Sequence, residues 1–348
     1  MVSQYLYMFA FLTKKINLMR LKLLFLLFLL SPSHGFSQDE FEPSGKPFAT
    51  IYARVYRGFA GDAANHAAFE LVRGYLGYEY TFSPQFFGRI NLDIGSADDT
   101  PQNPDLKRYA FFKNAYLRYS QQKLAIEFGM ISLKQFKLQE IIWERRYLMK
   151  TIADEHNLGS SADLGVNFHY RFNEFVDADF TIMNGEGYQS LQRDDIFKYS
   201  FGSTLRAPRN FTSRIVYDIM HNKISETTLL MFASYDFRTK WNLAAEFVLR
   251  QNHDWLAGRD IYAWSFYGKY NLSAKYQLFA RFDKIDSNTL KGETLPWQIA
   301  KDGEAFVAGI QFRPIRKITI ALNYQDWLSR EANLGRDRLL SFDLEVQM

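Results

Sequence analysis

From about residue 48 onward the chain repeats one pattern, an alternation of apolar and polar residues with a period of two. Ile90, Leu92 and Ile94 lie on one face of a segment whose other face carries Arg89, Asn91 and Asp93. Trp241, Leu243, Ala245, Phe247 and Leu249 alternate with Asn242, Glu246 and Arg250. Ile318, Ile320, Leu322 and Tyr324 alternate with Thr319, Asn323 and Gln325. Successive side chains of a strand point to opposite faces, so the pattern predicts strands with one apolar and one polar face. Sixteen such segments are predicted at 48–58, 68–82, 86–96, 109–120, 123–133, 162–172, 175–184, 197–207, 211–221, 227–237, 241–251, 261–272, 276–286, 303–313, 317–327 and 339–348. Most have the roughly ten residues that a tilted strand needs to cross a bilayer.

The connections alternate too. Seven are short, such as Ser83-Pro84-Gln85, Asn173-Glu174 and Ser273-Ala274-Lys275. Those between them are mostly longer, at 59–67, 97–108, 134–161, 185–196, 222–226, 252–260, 287–302 and 328–338. Barrels of the outer membrane have short periplasmic turns and long external loops, and an even strand count returns both ends of the sheet to the same side. Periodicity alone does not separate such a barrel from a soluble sandwich, whose apolar faces point inward.

The first 37 residues tip the balance. Lys14, Lys15, Arg20 and Lys22 precede the apolar run Leu23–Leu30, and small residues follow up to Gly35-Phe36-Ser37. This is the layout of a cleaved signal peptide, and the run is too short for a permanent membrane helix. The predicted organisation is therefore a signal peptide over 1–37, a periplasmic lead-in over 38–47 and an all-β transmembrane antiparallel barrel of about sixteen strands over 48–348, placed in the bacterial outer membrane. The chain of 348 residues carries 42 Lys+Arg against 38 Asp+Glu. The signal segment holds four bases and no acid, so the excess leaves with it and gives no argument for a nucleic-acid partner. With no Cys there is no disulfide, thiolate metal site or lipid anchor on sulfur. Aromatic residues reach 17%, yet the mean hydropathy is only −0.27, as alternation would give.

The longest connection, 134–161, is rich in charge. If it folds into the barrel, Lys134, Lys137, Arg145, Arg146 and Lys150 are candidates for a pore constriction that meets anions. If it stays outside, the same charges are simply solvated. On the polar face, Arg73, Arg89, Arg118, Arg171, Arg206, Arg250, Arg281 and Arg313 are candidates for lining the lumen, interspersed with acids such as Asp93, Glu127, Asp177 and Glu246.

Three stretches resemble the phosphate-selective porin O/P family: Glu127-Phe128-Gly129-Met130, Gly159-Ser160-Ser161-Ala162-Asp163-Leu164-Gly165-Val166, and Met183-Asn184-Gly185-Glu186-Gly187. The resemblance covers about residues 123–190. It implies a sixteen-stranded trimeric porin passing anions; the arginine ladder and central lysines of the family are not carried over to particular residues here.

The expected function is a porin for passive diffusion of small hydrophilic solutes or ions, with a preference for anions or phosphate. Its partners would be outer-membrane lipid, the permeating solutes, two further copies in a homotrimer and the barrel assembly machinery. A substrate-specific channel and a barrel enzyme of lipase or protease type are the alternatives. His169 could serve an enzyme as base, but there is no G-x-S-x-G elbow and no Ser placed beside it by the pattern. His66, His156, His169, His221 and His253 are scattered, so neither a metal site nor a catalytic residue or cofactor is expected.

Overall fold

The computed structural model describes residues 41–61, 64–96, 108–208, 210–238, 240–331 and 335–348. The predicted signal segment 1–37 and residues 97–107 of the predicted 97–108 connection lie outside them. The folded unit runs from Pro43 to Met348.

Among the described residues, sixteen antiparallel strands close into a barrel. They are β1 (Ser44–Ala60), β2 (Ala67–Thr81), β3 (Phe86–Ser96), β4 (Arg108–Gln121), β5 (Leu124–Ser132), β6 (Ala162–Arg171), β7 (Val176–Met183) and β8 (Lys198–Ala207). The second half comprises β9 (Phe211–Asn222), β10 (Ile224–Phe237), β11 (Trp241–Gln251), β12 (Ile261–Asn271), β13 (Tyr276–Ser287), β14 (Gly303–Ile315), β15 (Ile318–Ser329) and β16 (Arg336–Gln347). Each strand pairs with its sequence neighbours, and β1 with β16 completes the ring, Ile51 opposite Val346 and Arg54 opposite Asp343. No described helix is long and apolar enough to cross a membrane; the strands form the wall.

Two expectations change. β1 begins at Ser44, so the last four residues of the predicted lead-in are strand. The connection placed at 222–226 shrinks to Lys223, whose left-handed backbone (φ 47°) turns β9 directly into β10. Ser225 and Glu226 are polar neighbours on opposite faces, and that hid the strand.

The short turns are built by their polar residues. Ser83 Oγ accepts the N–H of Gln85 (3.2 Å) and of Phe86 (3.1 Å), and Asn173 Oδ1 accepts those of Phe175 (2.9 Å) and Val176 (2.8 Å). Ser273 repeats the arrangement with Lys275 and Tyr276, both at 3.2 Å. A short side chain thus satisfies the backbone that a tight reversal frees.

Sidedness follows from burial. Phe69, Phe128, Leu243 and Phe266 are exposed on the outer face, whereas Asn91, Asp93, Glu127, Asn167, Asp218 and Arg281 are buried on the inner one. Burying charge inside and exposing aromatics outside would be costly in water; it is the arrangement lipid favours. Aromatic pairs ring the short-turn end: Tyr80–Phe82 (4.8 Å), Phe86–Tyr119 (5.1 Å), Tyr170–Phe172 (5.0 Å), Trp241–Tyr270 (4.3 Å) and Tyr276–Phe312 (4.7 Å). Such a girdle suits the membrane–water boundary.

Candidate pore constriction

The connection from β5 to β6 folds inward. Its first helix, α1 (Lys137–Trp143), stops where Glu144 adopts a left-handed conformation (φ 61°), and a second turn, α2 (Ile152–Glu155), follows. Helical spacing puts Leu138, Ile142 and Trp143 toward the wall and leaves Lys137 exposed. Phe136, Ile152, Ala153 and Leu158 pack on Val216, Leu230, Val248, Ile261, Ala263 and Ile285. Trp143 and Tyr147 pack on Tyr52, Phe232, Ala244, Tyr267 and Phe279. The inner face from β9 to β13 therefore carries an apolar seat for the loop, at positions where an open lumen would be polar.

Polar ties fasten the loop over this seat. Glu144 receives Lys269 (2.7 Å) and Arg313 (3.3 Å). Tyr147 donates to Gln311 (3.1 Å), and Gln135 donates to Asp218. Arg281 donates to the Lys150 carbonyl (2.7 Å) and Arg250 to that of Asn157 (3.1 Å). Burial alone would raise the Glu144 carboxyl, but Lys269 and Arg313 outweigh it and hold it below the usual carboxylate range.

The five basic candidates of the loop are not brought together. Lys134 is half-buried and lines neither cavity described below; Lys137 is 56% exposed in its side chain and pairs with Glu140 at 3.0 Å. Arg145 is 1% exposed, lies over Phe279 (4.5 Å), and donates to the Trp143 carbonyl (2.9 Å) and to Gln277. Burial lowers its pKa to about 10. Arg146 bridges Glu140 and Asp154 and reaches Tyr75 Oη at 3.4 Å. Burial would raise both of those carboxyls, yet Arg146 holds them low. Arg146 and Lys150 alone among the five line the space left beside the loop.

Two of the cavities in that space bring charged groups of loop and wall together. The larger, about 590 Å³, is lined by the bases Arg73, Arg146, Lys150, Lys198 and Arg250 and the acids Asp154, Glu155, Glu186, Glu226 and Asp254. The smaller, about 230 Å³, lies between Tyr52, Arg54, Glu70 and the same Arg73, Arg146, Lys150 and Glu155. Arg73, Arg146, Lys150 and Glu155 line both. Beside them, Asp93 accepts Tyr188 Oη (2.7 Å) and faces Arg73 (3.4 Å) and Lys113 (3.5 Å). Lys113 was invisible to the pattern: the register slips between Asn91 and Leu92, and Lys113 and Asn114 are both buried.

The eight wall arginines all fall on the inner-facing parity. Arg73 and Arg250 reach the larger cavity. Arg89 pairs with Glu79 (2.9 Å), Arg118 with Glu127 (2.6 Å), Arg206 with Asp177, and Arg281 with Asp283 (2.5 Å); Arg313 holds Glu144, and Arg171 is exposed at the end of β6. His169 Nε2 meets Asp177 at 3.3 Å, on the carboxylate that also takes Arg206.

Two of the three stretches singled out in the sequence have a physical link through Asp163. Asp163 Oδ2 accepts the N–H of Gly185 (2.7 Å) and of Gly187 (3.3 Å), and Oδ1 that of Leu164 (2.7 Å). Both glycines have positive φ (112° and 79°), which lets their N–H groups converge on one carboxylate. The Asp163 segment thereby fixes the Gly185–Gly187 turn that lines the larger cavity.

No protein-family model matches this chain, and no curated protein matches it in sequence. Solved structures do match in fold. The outer membrane channel DcaP of Acinetobacter baumannii superimposes with a TM-score of 0.65 at 11% identity, over 90% of this chain and 99% of that one. OmpF of Salmonella typhi, in complex with daunomycin, gives 0.61 at 12% identity over 87% and 97%. The anion-selective porin from Comamonas acidovorans gives 0.61 at 11% identity over 88% and 100%. The fold is that of outer-membrane porins.

Proposed function

We propose that this chain is a passive diffusion channel of the bacterial outer membrane for small hydrophilic solutes, with a preference for anions. The observation that carries the reading is the pair of charge-lined cavities between the inward-folded loop and the wall, both lined by Arg73, Arg146 and Lys150. Charged groups select ions only where a pore is narrow. Arg146 is committed to Glu140 and Asp154, and Arg73 faces Asp93, so Lys150 is the base best placed to act on a passing ion. The likeness to an anion-selective porin supports the same sign. Phosphate specificity and a trimeric assembly belong to the finer reading, which rests on the sequence resemblance.

Planar-bilayer recording in a KCl gradient tests this. The expected result is an ohmic pore whose zero-current potential has the sign of chloride selectivity. A closed bilayer under all conditions removes the channel reading, and potassium selectivity removes the anion preference. Adding phosphate to one side tests the finer claim through a reduction of chloride current. Mass measurement of the detergent complex tests the trimer.

A further inference from the structure

Three ligand-type side chains meet at the long-loop rim, where two of them, Glu226 and Asp254, also line the larger cavity. Glu226 lies near the start of β10, and His253 and Asp254 lie in the connection from β11 to β12, which folds over it. Donor atoms of all three fall within 4.8 Å of one another. His253 Nδ1 faces Glu226 Oε2 at 3.6 Å, and His253 Nε2 faces Asp254 Oδ2 at 3.7 Å. The Nδ1 atom is buried and makes no hydrogen bond. An imidazole nitrogen in that position is costly unless something between it and the carboxylate satisfies it. Two donors on one ion, each bonded at about 2.0–2.2 Å, stand about 3.0–3.6 Å apart; the 3.6 Å between His253 Nδ1 and Glu226 Oε2 is at the upper end of that range, and Asp254, which stands beside Nε2, must swing over to reach the same ion.

The surrounding loop holds the imidazole in place. Asn252, Asp254 and Trp255 all adopt left-handed conformations (φ 54°, 56° and 56°), uncommon for residues with side chains. Asn252 sustains this by accepting the Gly258 N–H (2.9 Å) and donating to the Ser225 carbonyl (3.0 Å). The Asp254 N–H donates to Glu226 Oε2 at 2.9 Å, tying the loop to the strand. Trp297 packs against the His253 ring, centroids 5.5 Å apart and planes tilted by 34°. Arg250 approaches the other carboxylate oxygen, Glu226 Oε1, at 3.8 Å, which leaves Oε2 turned toward the histidine. Asp254, 75% exposed in its side chain, has the freedom to close on an ion from the solvent side.

We propose that Glu226, His253 and Asp254 bind one borderline divalent transition-metal ion, of the Zn²⁺ or Cu²⁺ class. One imidazole with two carboxylates favours such ions over Mg²⁺ or Ca²⁺, which take oxygen alone. Water fills the remaining positions. The site is absent from linear spacing because the two halves are brought together by pairing of β10 with β11, where Thr228 lies opposite Arg250. It stands independently of the channel reading.

Calorimetric titration of the detergent-folded chain, without a polyhistidine tag, with ZnCl₂ tests it. The expected result is one Zn²⁺ per chain, with affinity at least tenfold weaker in His253→Ala and Glu226→Gln and unchanged in His221→Ala, an exposed imidazole on the neighbouring turn. Equal binding by the wild-type and His253→Ala chains, or none by either, overturns the proposal. Electron paramagnetic resonance of the wild-type chain with one equivalent of Cu²⁺ decides without any variant: coupling to a single nitrogen donor supports the site, and coupling to none or to several overturns it.

Discussion

The indole of Trp143 stands edge-on to the ring of Tyr267, centroids 5.3 Å apart and planes at 64°, and meets Phe279 in the same way at 6.1 Å. Its Nε1 donates to the Met149 carbonyl at 2.9 Å, so one side chain joins α1, the following turn and the wall. Replacing a buried aromatic by Ala costs about 3–5 kcal/mol. Here that loss falls on loop docking, since the barrel's ladder does not depend on it. Trp143→Ala is expected to keep the strand content seen by circular dichroism while single-channel conductance rises and residues 134–161 become open to protease. Conductance and cleavage matching the wild type would show that the indole is not the anchor.

The loop's ion pairs set a pH dependence. Glu140, Glu144 and Asp154 are held below the usual carboxylate range by Arg146, Lys269 and Arg313, which overcome the effect of burial. A depressed folded pKa gives stability that is complete above the unfolded value, about 4, and is lost as pH falls through the folded one. Burial also lowers the pKa of His156, so its contribution begins to fall below about 6.5, the ordinary value for the ring. Hydrogen-exchange protection across 134–161, corrected for the intrinsic slowing of amide exchange in acid, is expected to fall slightly below pH 6.5 and steeply below pH 4. Glu144→Gln, which breaks the pairing with Lys269 and Arg313, would reduce the steep part. Protection that grows on acidification would contradict this.

Charge reversal separates the lysines. Lys150→Glu places an acid in the lining of both cavities, which Arg73 shares, and is expected to move the zero-current potential toward cations. Lys137→Glu, exposed and outside the lining of both cavities, is expected to move it less. Equal shifts from the two changes would mean that the loop acts only through its total charge.

The outer face has its own test. Phe266 is 51% exposed and lies opposite Phe282, midway along β12 and β13. An Arg facing the bilayer midplane costs about 2–4 kcal/mol. Phe266→Arg is therefore expected to lower the urea midpoint for unfolding from vesicles. Phe266→Leu should leave it nearly unchanged, and a similar loss in both would point to packing rather than lipid.

The barrel was legible because one physical rule, alternation, governs nearly every strand and its turns. The direction of the long loop was not, because its own charges suit water inside or outside the barrel equally. The deciding signal lay on the wall, in Leu230, Phe232, Ala244 and Val248. These break the polar face on strands whose other face is already apolar. Arg250 and Arg281 looked like free pore charges and turn out to hold loop carbonyls, a use that depends on which backbone lies within reach. Lys113 was concealed by the slipped register beside it.

The pairing of β1 with β16 joins residues about 300 positions apart, Ile51 with Val346 among them. Every other pairing joins neighbours in sequence and can form as a local hairpin. Closing the ring directly would meet the entropy of the longest loop in the molecule, so the seam is best joined once the intervening hairpins have ordered the sheet and brought its two edges together. Until then β1 waits as an open edge, its ladder groups available to any other strand. The seam thus sets the pace of folding, and it is also where a second, unfinished sheet would most readily add on.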